Sequence, residues 1–122
     1  MKAKNTKKEE KIVDAQSRTL GRVASETAYF LMGKNKASFE RNTYSGSPVT
    51  VVNASKLRIT TKKLAEIYHT RYSGIPGGLR ITKGTETAAK QGLKELIRLA
   101  TYQMLPGNKL RREMMKNLKI ED

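Results

Sequence analysis

The sequence has no cysteine and a single histidine, His69. Without thiols there are no disulfides, thiolate zinc sites, iron–sulfur clusters or thiol catalysis, and the chain suits a reducing compartment. One histidine and no spaced carboxylate cluster leave too few ligands for a metal. No metal and no cofactor are therefore expected. Long apolar runs are missing too: nothing approaches the ~20 residues that span a bilayer, so no membrane partner is expected. Apolar residues make up only 37% of the 122, low for an ordinary globular domain. The first ten residues lack both the apolar segment of a secretory signal and the arginines of a transit peptide. Residues 1–10 are expected to form a basic, disordered tail, and residues 11–122 one domain. Acidic residues are also scarce.

What the chain has instead is positive charge: 25 Lys and Arg against 11 Asp and Glu, a net +14. Such a charge repels itself in a compact state, which points to an anionic partner. The most informative segment is Tyr68-His69-Thr70-Arg71-Tyr72-Ser73-Gly74-Ile75-Pro76-Gly77-Gly78-Leu79-Arg80. Three glycines and a proline fall within five positions, between Arg71 and Arg80. Glycine permits close approach and positive φ, and proline stiffens a bend. The segment reads as a shaped loop offering backbone N–H groups and two guanidinium groups to phosphate.

Periodicity gives an α/β order. Lys11-Ile12-Val13-Asp14-Ala15 predicts a strand. Thr19 is a candidate N-cap for a helix whose stripe is Leu20, Val23, Ala24, Thr27, Ala28 and Leu31, closed by Gly33. Residues 34–48 are polar and turn-rich, a long basic loop. Val49-Thr50-Val51-Val52 is apolar enough for a central strand. Strand, helix, strand suggests a parallel unit. Leu57-Arg58-Ile59-Thr60 and Arg80-Ile81-Thr82 are weaker strand signals. Thr85 or Thr87 is expected to cap a helix that Gly92 interrupts or kinks. Leu93, Leu96, Ile97, Ala100 and Met104 carry an amphipathic stripe that Pro106-Gly107 ends. Asn108 can cap a last short helix bearing Leu110, Met114 and Met115, and Leu118-Lys119-Ile120 follows it.

Catalytic and nucleotide-binding patterns fail on inspection. His69 sits between Tyr68 and Thr70, and nothing in the sequence points to Asp14 or Glu40 as its partner. The turn from Ala15 to Gly21 has one glycine, not the spaced set of a dinucleotide fingerprint. Gly33-Lys34 ends a helix, whereas a P-loop lysine opens one. Gly77-Gly78 lacks a following Lys-Ser/Thr. No enzyme and no small-molecule substrate are expected.

The cations cluster. Lys34, Lys36 and Arg41 lie in the long loop. Lys56, Arg58, Lys62 and Lys63 follow the central strand. Arg71, Arg80 and Lys83 surround the glycine segment, where Tyr72, Gly74, Gly77 and Gly78 complete a candidate surface. Lys109, Arg111, Arg112, Lys116 and Lys119 lie near the C-terminus. A charge run is ordinarily a solvated face, but four clusters with little acidic compensation suit an extended phosphate-rich partner. Phe39, Tyr44 and Tyr72 lie among basic residues, where each either stacks on an unpaired base or anchors its loop. The paired aromatics of an RNA-recognition motif and the flanked Gly-x-x-Gly of a KH domain are missing.

Several words in this order resemble the large-subunit ribosomal protein L-thirteen family, in its bacterial type. They are Val13-Asp14-Ala15, Thr19-Leu20-Gly21-Arg22-Val23-Ala24-Ser25, Leu31-Met32-Gly33-Lys34-Asn35-Lys36 and Val51-Val52-Asn53-Ala54. Tyr72-Ser73-Gly74-Ile75-Pro76-Gly77-Gly78-Leu79 follows, then Met104-Leu105-Pro106 and the helix over residues 110–118. The Ser-Gly-x-Pro-Gly-Gly-Leu word followed at a distance by Met-Leu-Pro is the specific part. The resemblance implies a three-layer α/β/α domain around a small, mostly parallel four-stranded sheet. It implies a non-enzymatic constituent of the large ribosomal subunit that binds its rRNA, neighbours other ribosomal proteins, supports assembly and is cytoplasmic. The alternative from composition alone is a free nucleic-acid-binding or RNA-chaperone protein. The chain departs from the family pattern in several places. Lys11 and Ile12 replace an aromatic, and Tyr44 and Ser47 flank Ser45-Gly46 where acidic residues are usual. Thr60-Thr61-Lys62-Lys63 replaces a Thr-Gly-x-Lys word, Tyr72 a histidine, and Tyr102-Gln103 a Lys-Gly word. The sequence stops at Asp122, short of the His- and Gln-containing tail of most bacterial members.

Overall fold

The computed structural model describes residues 9–122. The tail expected over residues 1–10 lies outside them apart from Glu9 and Glu10. Strand β1 (Lys11–Asp14) buries Val13 and leaves Ile12 and Asp14 exposed, as alternation requires. Asp14 ends it with its carboxylate, which accepts from the Gln16 N–H (2.9 Å) and the Asn53 side-chain amide (3.0 Å). Helix α1 (Leu20–Met32) buries Val23, Ala24, Thr27, Ala28 and Leu31 along one stripe. The Thr27 hydroxyl satisfies itself inside the core by donating to the Val23 carbonyl at 2.7 Å. Thr19 occupies the N-cap position, but its side chain makes no capping bond. Gly33, at φ +80°, closes the helix: its N–H reaches the Phe30 carbonyl and the Lys34 N–H reaches that of Tyr29, a Schellman ending.

The expected central strand is central. β2 (Val49–Val52) lies between β1 and β5 (Leu118–Ile120), parallel to both. The register aligns Val13, Val51 and Ile120 across all three strands. Leu118-Lys119-Ile120 carries no strand signal of its own; three residues are too few for a period, and β2 supplies the pairing. The expected strand at residues 57–60 does not form. A 3₁₀ turn (Ala54–Lys56), the buried Leu57 and the start of helix α2 (Thr61–Glu66), capped by Thr60 Oγ1 on the Lys63 N–H, consume that segment. One bridge between Arg58 and Thr19 remains. The four-stranded sheet is thus corrected: among the described residues there are three parallel strands and a separate antiparallel hairpin of β3 (Tyr68–Tyr72) and β4 (Leu79–Lys83). The α/β class stands, compatible with α/β/α layering.

Helix α3 (Gly84–Gln91) begins after Lys83, which takes the N-cap position expected of Thr85 or Thr87. Gly92 breaks rather than kinks the helix: at φ +79° it separates α3 from α4 (Leu93–Met104). α4 packs along α1 and buries Leu96, Ile97 and Thr101. Asn108 Oδ1 accepts the Leu110 N–H (3.1 Å) at the start of α5 (Leu110–Lys116). One apolar cluster joins Val13, Val49 and Val51 of the sheet to Leu31 of α1, Ile97 of α4 and Met114 of α5.

Candidate nucleic-acid interface

The glycine segment is the tip of a hairpin. Tyr68, Thr70 and Tyr72 pair with Lys83, Ile81 and Leu79; His69 and Arg71 pair with Thr82 and Arg80. Alternation places the first set on one face and the second on the other. The first face is open, with Tyr68, Tyr72, Leu79 and Ile81 each exposed. Ile75-Pro76-Gly77-Gly78 forms a turn in which the Gly78 N–H reaches the Ile75 carbonyl (2.9 Å) and Gly77 sits at φ +80°, the signature of a type II turn. A Cβ on Gly78 would lie 1.9 Å from Ser73 Oγ. The turn uses the Gly78 N–H, and the Ser73 N–H points to the Gly78 carbonyl (3.4 Å). Neither is therefore offered outward. Those of Gly74, Ile75 and Gly77 have no backbone partner among the described residues. Sequence reasoning missed β3, although Tyr-His-Thr-Arg-Tyr alternates and precedes a Pro-Gly turn, a recognisable hairpin signal.

Three basic cavities neighbour one another through shared lining residues. A cavity of about 560 Å³ is lined by His69 and Arg71 of β3, Lys90 of α3, and Glu95 and Arg98 of α4. Arg98 also lines a cavity of about 730 Å³ with Tyr102, Lys109, Arg111, Arg112 and Lys116. Asn108 in turn links this to a cavity of about 300 Å³ that includes Lys34 and Arg41. The Arg111 guanidinium lies 3.9 Å from the centre of the Tyr102 ring, stacked and held for a planar, bidentate contact. Arg98 is tied to Glu95, with Nε 2.9 Å from Oε2 and a closer second contact. That hydrogen bond holds the Glu95 carboxyl below its ordinary range. His69 Nε2 is buried with no hydrogen-bond partner among the described residues.

Other expected contacts fall elsewhere. Arg58 and Lys63 lie apart from these cavities, beside Arg22 at the start of α1; sequence reasoning missed Arg22 because it sits inside a helical word. Lys62 and Lys83 are exposed on α2 and β4. Lys36 turns inward: its ammonium donates to the Ser45 carbonyl at 3.0 Å and braces the long loop. Tyr44 is an anchor, not a free stacking ring. Its hydroxyl accepts from the Asn117 amide, its ring packs on the core, and burial pushes its phenol above the usual value. Phe39 is half-buried in the smallest of the three cavities, and Tyr72 is 63% exposed.

The family model described as Ribosomal protein L13 matches residues 8–120. The chain is similar to the Large ribosomal subunit protein uL13 of Pelobacter propionicus, 44% identical over 119 residues, covering 98% of this chain and 83% of that one. The protein of the same name from Citrifermentans bemidjiense is 44% identical over 126 residues, covering 98% and 87%. That of Prochlorococcus marinus is 42% identical over 109 residues, covering 89% and 76%. The word order, the parallel α/β core and a family match spanning nearly the whole chain agree, and the chain belongs to the ribosomal protein L13 family.

Proposed function

We propose that this chain is a structural constituent of the large ribosomal subunit that binds its rRNA without catalysing a reaction. The observation that carries this reading is a series of neighbouring basic cavities, lined by Lys34 and Arg41, then by Lys109, Arg111, Arg112 and Lys116, then by Arg71. A small anion needs one such pocket. A run of neighbouring pockets lined from β3, α3, α4, α5 and the 34–48 loop suits successive phosphates of a folded RNA. The packed α/β body over residues 11–122 acts as a rigid block, and its loops and helix ends hold RNA segments together. Arg80, Lys83 and the Gly74–Gly78 turn extend the surface outward. Arg58, Lys62 and Lys63 give it a second side. The open Tyr68–Tyr72 face suits a neighbouring protein of the subunit.

Among the described residues no group of three or more His, Cys, Asp or Glu could hold a metal. No described helix is long and apolar enough to cross a membrane. Sedimentation of cell extract tests the reading. The protein should travel with the large subunit in moderate salt; a free nucleic-acid-binding protein would stay at the top of the gradient. With ~6–10 phosphates contacted, affinity for large-subunit rRNA should fall ~10³–10⁵-fold between 50 and 200 mM salt. A flat response would overturn it.

A further inference from the structure

We propose that the cavity between the 34–48 loop and α5 receives one unpaired base of the bound RNA, stacked on Phe39. This inference rests on the rRNA-binding reading and gives it a site. The cavity holds about 300 Å³, at the small end of the ~300–1,000 Å³ typical of ligand sites. That admits a single planar group and excludes a helix or strand. Its walls are apolar and polarisable: Met32, Phe39, Pro106, Leu110 and Met114. Phosphate alone would gain nothing from such walls, whereas a base has a π face for Phe39. Thr43 and Asn108 offer polar atoms to a base edge, and Glu40, whose carboxylate accepts the Thr43 hydroxyl at 3.2 Å, offers an acceptor.

The charges at this cavity favour RNA over a protein side chain. Lys34 and Arg41 line it, and neither has an ion-pair partner among the described residues. On this proposal they pair with the phosphates that flank the extruded nucleotide. Asn108 lines both this cavity and the Arg111–Arg112 pocket, so the two are neighbours that one RNA strand can contact together. The loop is also braced before binding. The Phe39 N–H reaches the Lys36 carbonyl (3.2 Å), the Lys36 N–H that of Gly33 (3.0 Å), and the Lys36 ammonium that of Ser45. Phe39 is thus presented with little ordering left to do on binding.

The chain has no tryptophan, so Phe39→Trp installs a single reporter. On titration with a large-subunit rRNA transcript, the indole emission of that variant should quench in step with RNA retention on a filter. Phe39→Ala should weaken retention roughly 5- to 150-fold. It should leave the slope of log affinity against log salt unchanged, whereas Lys34→Ala should reduce that slope by about one. Phe39→Leu, which keeps apolar bulk in the loop but has no π face, should lose affinity as Phe39→Ala does, whereas Phe39→Tyr should retain it, separating stacking from loop collapse. Wild-type affinity in Phe39→Ala, or unquenched indole emission from Phe39→Trp while the RNA is retained, would overturn the proposal. So would quenching that appears only when other large-subunit proteins are added, which would assign the cavity to a protein side chain. If the unsubstituted protein fails to retain the rRNA, the RNA-binding reading falls, and the base site falls with it.

Discussion

Arg71 and Arg80 stand directly opposite each other across the β3–β4 hairpin. Like charges at paired positions are destabilising, by roughly 0.2–1 kcal/mol relative to a neutral pair. A lone two-stranded hairpin has little stability to spare. The pairing makes sense if an anion bridges the two guanidinium groups. Arg80→Thr should therefore leave the free protein as stable as before or up to about 1 kcal/mol more so, while weakening rRNA binding. Thermal melts of the free protein alongside filter binding check this. A variant that loses stability and keeps its RNA affinity would make the pair a structural device.

Gly77→Val should act on the same hairpin in the opposite direction. Gly77 is at φ +80° with nothing near its missing Cβ, so the penalty is backbone strain, about 1–2 kcal/mol for a left-handed residue and worse for a β-branched one. The hairpin contributes nothing to the apolar cluster of sheet, α1, α4 and α5 described above, so the main unfolding transition should barely move. Incorporation into the large subunit should fall well below that of the unsubstituted protein. Unchanged incorporation would remove the turn from the contact surface.

The parts legible in the sequence are those whose signal is local. The α1 stripe, the Gly33 ending, the apolar β2 and the Asn108 cap can all be read from it, because spacing and cap chemistry act within a few residues. β5 cannot, because it depends on the pairing that distant β2 supplies, and the absent strand at residues 57–60 cannot, because a weak apolar alternation there is overridden by the 3₁₀ turn before it and the Thr60-capped helix after it. The candidate surface divides the same way. Clusters of cations are visible as clusters. That Lys36 turns in to Ser45, that Tyr44 meets Asn117, and that Arg98 links two pockets depend on the fold bringing together residues up to 73 positions apart.

Two glycines, one in the 34–48 loop and one in α1, should respond oppositely to alanine. A Cβ on Gly46 would lie 1.8 Å from the Leu31 carbonyl oxygen, which is fixed backbone. Gly46→Ala must therefore separate the long loop from α1, at a cost of about 1–3 kcal/mol or more. Gly21 lies in the first turn of α1 with open space around it and no positive φ. Gly21→Ala should stabilise by up to about 0.5–1 kcal/mol. Urea denaturation of the two variants measures both, and equal effects would contradict the packing at the α1–loop junction.

Acid should weaken the fold through two carboxylates whose folded-state values are depressed. Asp14 is lowered first by the Asn53 amide and then by the Gln16 N–H; Glu95 is lowered first by its hydrogen bond from Arg98. For a depressed acid, the folded state favours the charged form. The contribution is therefore complete above the ordinary carboxylate range, near pH ~4–4.5. It is lost as pH falls through the lower folded-state values. The melting temperature should be flat from about pH 7 to 5 as far as these groups are concerned, and decline below about pH 4. Self-repulsion of the net +14 chain grows over the same interval, so the comparison must be between variants. Glu95→Gln with Asp14→Asn should melt lower than the unsubstituted protein at neutral pH and approach it at acid pH, because the lost interactions are ones that acid already removes. Parallel curves across the whole range would mean that neither carboxylate couples to folding, and that the Glu95–Arg98 contact serves only to aim Arg98 into the basic cavities.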